Sequence, residues 1–520
     1  MTRPINVLIP MAGQGKRFRR AGYSTYKPFV SIFGKPMIQY VLDAFPAHVT
    51  RRVLVDRSLL TDEQLDFLQQ QPGVIVHFVT SHQLGPAYSI YKAGDELPLD
   101  EAFFIAYCDI SWTWDYTQVE RVLDEDGVVF TRRQFHPHIV GSNYSAFCKT
   151  APDDDSRLQE IREKGSFTED WMTEPLSIGC FYVRDGRAMM RAIEALITED
   201  RKVSNEFFPS LIFNELIKAG QSVRLHEVDF FVHWGVPAQL EDVRLWVRTC
   251  YSLAGSPVAT EALNVCCMGG VGARMQGLGS VPKALMPVAD GEPMFRYVAR
   301  RFGCRSNRFI VNDTMRPVLE TYGVNGAEVL NIGPPTTSQL ATLHRASDFL
   351  REQARFFLTS CDALGIWQPA AFEVFLQREH PDGVVFTFEP TLLQGGLGGS
   401  HTYVETSGSL VREIRIKHKP PGAVRGLAGF FWFKDGQVFC ELDRITGDPG
   451  QELCADHVLK YMLAKGQRIG AFPLDAYLHL GSPAELLEFD FWWRFHRLFP
   501  QPDALIDAHP EHCQRSFDTG

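Results

Sequence analysis

One pattern occurs twice in this chain, and it constrains the fold more than any other feature. Residues 5–42 read INVLIPMAGQGKRFRRAGYSTYKPFVSIFGKPMIQYVL, and residues 263–298 read LNVCCMGGVGARMQGLGSVPKALMPVADGEPMFRYV. In each copy an apolar run enters a Gly-rich turn that ends in Arg, and a Lys follows about ten residues on. A G-x-P-M segment and another apolar stretch complete the pattern. A strand opening into a Gly-rich basic loop suits phosphate, because glycine lets backbone N–H groups approach the anion while Arg and Lys neutralise it. Two copies predict two such devices on two domains of one fold.

The correspondence continues in register along the chain, which is the signature of a tandem duplication. FFIAYCDISW (103–112) answers to FFLTSCDALG (356–365), and DGVVFT occurs at both 126–131 and 382–387. LQEIREK (158–164) answers to VREIRIK (411–417), and NEFFPSLIFNELIKAGQ (205–221) to QELCADHVLKYMLAKGQ (451–467). HWGVPAQLED (233–242) answers to HLGSPAELLE (479–488). Apolar strands such as INVLIPM alternate with helical spacings such as Pro36 to Phe45 and a Thr61-capped helix. This series predicts an α/β fold with mostly parallel sheets, more mixed over 128–184, and ligands at the carboxyl ends of the strands. The expected domains are 1–251 and 262–490, joined by a small, polar linker near 252–262. A closing helix and tail over 491–520 bring in Trp492, Trp493, Phe495 and Leu498.

Composition narrows the class. A formal net charge of −10 without a basic tract argues against general nucleic-acid binding. Arg19-Arg20 and Arg132-Arg133 read either as sites for small anions or as a solvated basic face. Eleven scattered Cys with no C-x-x-C pair suit a reducing compartment and buried thiols, Cys108 and Cys361 among them. No apolar run reaches membrane-span length and a strand begins too early for a signal peptide, so a cytoplasmic protein without membrane partners is expected.

PMAGQGKRF…KPFV…GKPMI resembles the nucleoside-diphosphate-sugar pyrophosphorylases, the nucleotidyltransferases that activate sugar phosphates and phospho-alcohols. It looks closest to the branch of capsule and lipopolysaccharide clusters, which includes cytidylyltransferases. The resemblance covers the first half and, more weakly, most of the second, and implies two tandem Rossmann-like domains of GT-A type. It also implies an NTP and a phosphorylated small-molecule acceptor as substrates and Mg²⁺ (alternatively Mn²⁺) as cofactor; a homo-oligomer is left open. On matching positions Arg17 would grip the β- and γ-phosphates, Lys27 the α-phosphate or the attacking phosphate, and Asp109 the metal. Ala12, Gly13 and Gly15 would approach the triphosphate, with Gln83 and Gly85 at the base. Glu163, Lys164, Gly179, Asn205 and Glu206 would line the acceptor site, as would Trp114-Asp115 and His136.

One departure stands out. Relatives place a second Asp before G-x-P, where this chain has His233 and His479. Three readings of His233 stay open: a metal ligand, a hydrogen-bond donor to the acceptor phosphate, or a packed histidine. The second copy keeps Gly270, Gly272, Arg274, Lys283, Asp362 (catalytic and metal-binding) and Lys417. It replaces Gly85 by Ser338, Lys16 by Ala273 and Asn205 by Gln451, which points to a different ligand or to a regulatory or structural role. A GT-A glycosyltransferase is the rival enzyme class, but Asp109-Ile110-Ser111 and Asp362-Ala363-Leu364 are not D-x-D. A nucleotide-binding sensor or scaffold is the second alternative.

Overall fold

The structure is a computed structural model that describes residues 4–139, 141–255, 260–270, 281–389, 401–418, 425–447 and 452–499. It divides into two compact units, Met1–Trp246 together with Phe499–Gly520, and Val247–Leu498. Each unit is built on a nine-stranded sheet.

In the first unit Ile5–Pro10 lies between Thr50–Val55 and Ala102–Ala106, parallel to both, so Val7 faces Arg51 on one side and Phe104 on the other. Val74–Phe78 extends the parallel run. Residues on alternate sides of these strands enter different cores, as a period of two requires. Val7, Ile9, Val53, Phe104 and Phe130 pack on one face. Leu8, Leu54, Phe103, Ile105 and Val129 pack on the other. A strand covered on both faces is apolar at most positions, which is why INVLIP shows no alternation, and its one buried polar side chain, Asn6, donates to Glu101 and to the Ala102 carbonyl.

Beyond Ala102–Ala106 the sheet becomes mixed. Leu176–Val183 runs antiparallel to both Ala102–Ala106 and Gly127–Arg132. Val223–Glu227 then pairs parallel to Gly127–Arg132, and the hairpin Ala146–Ala151 with Asp154–Glu163 forms the far edge. The carboxyl ends of the parallel strands release the loops at Met11–Gly15 and Tyr107–Asp109 to the same end of the sheet. A separate ribbon pairs Phe230–His233 with Ile110–Thr113 and sets His233 opposite Ile110, one residue from Asp109.

The second unit repeats this order strand for strand. Val329–Asn331, Cys304–Val311, Thr260–Met268 and Ala354–Ser360 form the parallel run. Arg425–Asp435, Gly383–Phe388, Ile469–Pro473, Leu410–Arg415 and Tyr403–Ser407 follow. Its small ribbon pairs Ala363–Ile366 with Ala476–His479, so His479 stands opposite Ala363, next to Asp362. The helix Pro483–Leu498 is continuous and buries Phe489, Trp492, Trp493 and Phe495. Among the described residues no helix is long and apolar enough to cross a membrane.

Candidate functional site

The glycine-rich turn of the first unit folds as its residue types require. Gly15 adopts φ +60° and starts a short helix, Lys16–Arg20, whose Phe18 N–H donates to the Gly15 carbonyl at 3.0 Å. A Cβ on Gly15 would stand 3.1 Å from Cβ of Lys27, so the turn and the lysine are in close contact. Lys27 opens a 3₁₀ turn, Lys27–Phe29, with Pro28 at a position where no N–H is needed. The hydroxyl of Tyr26 donates to the Met11 carbonyl and ties this turn to the end of the first strand.

Lys27 Nζ meets Asp109 Oδ2 at 2.5 Å, with each side chain about one-fifth exposed (19% and 23%). Burial alone would push the Asp109 carboxyl up, but the Lys27 ammonium outweighs it, helped by His233, and holds it below the ordinary carboxylate range. Burial would likewise lower Lys27, and Asp109 overrides that and raises it. The backbone is pinned as well: Trp234 N–H donates to the Asp109 carbonyl at 3.1 Å. A Cβ on Gly235 would lie 2.9 Å from Asp109 Oδ2, so only glycine leaves the carboxylate its place. Gly235 belongs to the repeated H-x-G segment, and that recurrence was the available sequence signal for it.

These groups line a cavity of about 450 Å³. Ala12, Gly13, Gly15, Arg17, Lys27, Gln83, Gly85, Asp109, Glu163, Lys164, Gly179, Glu206 and His233 all face it. Asn205 does not; it is exposed with φ +66°, while its neighbour Glu206 takes the lining position. Asp115 instead caps the helix Tyr116–Glu120 by accepting from Thr117 N–H. Tyr107, Tyr144, Ser145 and Ser177 also line the cavity and were not singled out in the sequence. Gly179 has φ +86°, and a Cβ there would lie 2.5 Å from Tyr107 Cδ2, so the glycine and the tyrosine ring are matched. Ser210 Oγ donates to Glu163 Oε2 at 2.6 Å, which opposes the upward push that burial gives this carboxyl. Lys164 Nζ sits 5.1 Å from the centre of the Phe208 ring.

His233 is surrounded by other imidazoles. The His136 ring lies 5.2 Å from it, nearly parallel, and that of His138 5.5 Å from it. Burial and then His138 push the His233 imidazole down to about 3, against the pull of Asp109. His138 Nε2 meets Asp242 Oδ2 at 3.0 Å, and its Nδ1 meets the His233 carbonyl at 3.2 Å.

A pH profile checks this electrostatic picture. Asp109 ionises below its usual ~3.9 and Lys27 loses its proton above its usual ~10.4, so neither changes charge between about pH 5 and 9. The stability that Asp109 gains from pairing is present above ~3.9 and is lost as pH falls through its lowered folded value. Any activity that depends on this pair is expected to show no step from Asp109 or Lys27 across that window. An enzyme-borne break between pH 7 and 8 would contradict the pairing.

The second unit reproduces part of this geometry. Lys283 opens the 3₁₀ turn Lys283–Leu285 and pairs with Asp362. Gly481 stands where Gly235 does: its Cβ would lie 3.0 Å from Asp362 Oδ2. Lys417 and Lys164 share the left-handed backbone, at φ +52° and +54°. Two differences matter. His479 Nε2 lies 3.3 Å from Asp362 Oδ2, its Nδ1 lies 2.9 Å from Glu485 Oε1, and against the cost of burial these carboxylates raise it to about 9. Ser338 has φ −151° where Gly85 has +88°, because a side chain cannot follow the glycine there. Gly270 pairs with Thr336, while Gly272 and Arg274 lie outside the described residues.

A glycine-rich basic loop and a strand-end Lys–Asp pair, gathered over the carboxyl ends of a parallel run, define a nucleotide-handling α/β domain. Residues 7–203 and 266–398 match the MobA-like NTP transferase domain, and the chain belongs to that family. Among solved structures it is similar to the nucleoside-diphosphate-sugar pyrophosphorylase from Vibrio cholerae RC9, at 18% identity over 45% of this chain and 98% of that one, with a TM-score of 0.38. It is also similar to the inositol-1-phosphate CTP transferase from T. maritima, at 16% identity over 46% of this chain and 98% of that one, with a TM-score of 0.37. No curated protein matches the chain.

Proposed function

We propose that the first unit transfers a nucleotidyl group from an NTP to a sugar phosphate or phospho-alcohol with release of pyrophosphate, in surface-polysaccharide synthesis. The observation that carries this reading is the half-buried Lys27–Asp109 pair beside the Gly13–Arg17 loop in one cavity. A phosphate-monoester oxygen forms the new bond to the α-phosphorus. The bond from that phosphorus to its bridging oxygen breaks, and pyrophosphate leaves with the electron pair. The nucleophile is already an anion, so no general base is needed, and catalysis is positioning plus charge stabilisation.

Arg17 lies at the loop's end, where it can hold the leaving β- and γ-phosphates. Lys27, kept charged by Asp109, offsets the charge that accumulates around the α-phosphate. Glu163, Lys164 and Tyr107, which line the same cavity, orient the acceptor. A divalent cation fits the ionised Asp109 carboxylate and would supply further positive charge there. The second unit, with Asp362 held by both Lys283 and His479 and its base-side turn rebuilt at Ser338, is read as taking a different ligand.

The test is pyrophosphate release with CTP, UTP, GTP, ATP and dTTP against a panel of sugar 1-phosphates and phospho-alcohols. It is run on the wild type, Lys27→Ala and Lys283→Ala. Release lost only in Lys27→Ala is the expected result. Two activities, each lost with its own lysine, would make both units catalytic, and no release from any pair would sink the reading.

A further inference from the structure

Among the described residues, two groups of three side chains bring metal-ligating atoms within 4.8 Å of one another. One is His136, His138 and His233; the other is His401, His479 and Glu485. They occupy the same place in the two units. His233 and His479 end corresponding ribbon strands, each next to the aspartate paired with the loop lysine. His136 and His138 lie between the strands Gly127–Arg132 and Ala146–Ala151, and His401 lies between the corresponding Gly383–Phe388 and Tyr403–Ser407. The sequences of these connections do not align: HPH stands four residues past its strand, whereas His401 stands two residues before the next one. A histidine nevertheless reaches the ring of the ribbon histidine in both units, at 5.2 Å for His136 and 5.7 Å for His401. Recurrence of one side-chain chemistry from unaligned segments marks a requirement of the place.

The geometry points to a site for a first-row divalent transition cation beside the aspartate of each unit, formed by His136, His138 and His233 in the first and by His401, His479 and Glu485 in the second. Imidazole suits Mn²⁺, Co²⁺ and Zn²⁺, whereas Mg²⁺ takes oxygen ligands. With metal–nitrogen distances of about 2.0–2.1 Å, ligands of one tetrahedral Zn²⁺ stand roughly 3.3–3.4 Å apart, so side-chain rotations of about an ångström close the observed spread. The orienting partners of ligand histidines are also present. Asp242 holds His138 Nε2 and leaves Nδ1 as the ligand, given up by the His233 carbonyl that it now meets at 3.2 Å. His136 Nδ1 accepts the His138 backbone N–H at 3.1 Å, a bond it would exchange for the cation while Nε2 keeps the ring proton. In the second unit Glu485 faces His479 Nδ1, where the first unit has Gln239, and a cation there would take the place of the ring proton that Asp362 and Glu485 hold on His479.

The test reads binding in the full-length protein without substrate, so its outcome is independent of turnover. After chelation, Co²⁺ is titrated while its visible ligand-field absorption is followed, with Zn²⁺ and then excess Mg²⁺ as competitors. The expected result is one imidazole-bound Co²⁺ per unit, displaced by Zn²⁺ but not by Mg²⁺. His136→Ala should abolish the first-unit signal and His401→Ala the second, while Asp242→Asn should weaken the first about 10–100-fold. Zn²⁺ should raise the Tm of the wild type more than that of His136→Ala, each chelated sample showing the same circular dichroism. His136→Gln replaces His136→Ala if the latter does not fold. Absence of the absorption, displacement by Mg²⁺, or an unchanged signal in the His136 variant would each overturn the site and leave three packed histidines.

Discussion

Asp109→Asn is expected to lower kcat for pyrophosphate release by about 10²–10³, with a smaller change in KM for the NTP. The carboxamide keeps the shape but removes the charge that holds Lys27 protonated inside the cavity. It also removes the anionic oxygen ligand that a divalent cation would use. The substitution leaves Lys27 without its anion, and breaking a buried pair costs roughly 3–5 kcal/mol. With both side chains about one-fifth exposed (19% and 23%), the cost here falls at or below the lower end of that range. Steady-state kinetics together with urea unfolding separates the two effects. A variant that keeps near-normal kcat would remove Asp109 from the mechanism.

Gly85→Ala is expected to raise KM for the nucleotide by about tenfold or more and to destabilise the first unit by about 1–3 kcal/mol. Gly85 has φ +88°, and a Cβ there would lie 2.7 Å from the Phe207 carbonyl oxygen and 2.8 Å from its nitrogen. Neither atom can retreat cheaply. Phe207 N–H donates to Leu84 O at 2.8 Å, and Ala87 N–H donates to Phe207 O at 3.1 Å. The turn carrying Gln83 must therefore shift relative to Glu206, and both line the cavity. Nucleotide binding measured by calorimetry, alongside thermal unfolding, checks this. An unchanged dissociation constant would place the nucleotide elsewhere.

What was legible in the sequence was whatever a local pattern encodes. The parallel run is written as largely apolar strands, and the Gly-rich turn, Lys27 and Asp109 sit at the ends of segments whose period is plain. Gly85 and Gly179 were readable because a side chain is forbidden where each stands, and both have positive φ. The rest depended on long-range contact. Tyr107 follows its strand like any apolar neighbour, and only the fold sets it against Gly179. Asn205 sits beside a lining residue yet points away, because a left-handed residue turns the chain at that point. The histidine cluster was the least legible part. His136 and His138 meet a residue some 95 positions later, and His401 has no aligned counterpart in the first unit.

The order of strands within each sheet also shapes how the chain can be cut or built. Val223–Glu227 is among the last strands of its unit in sequence, yet it lies between Gly127–Arg132 and Asp154–Glu163, both made much earlier. Ile469–Pro473 holds the same interior place in the second unit. A chain emerging from the ribosome therefore carries an open slot in each sheet, with exposed backbone donors and acceptors on Gly127–Arg132 or Gly383–Phe388, until its final strand arrives. Each unit completes itself only at its carboxyl end, so a nascent or shortened chain that stops before that strand presents a sticky edge in place of a finished domain.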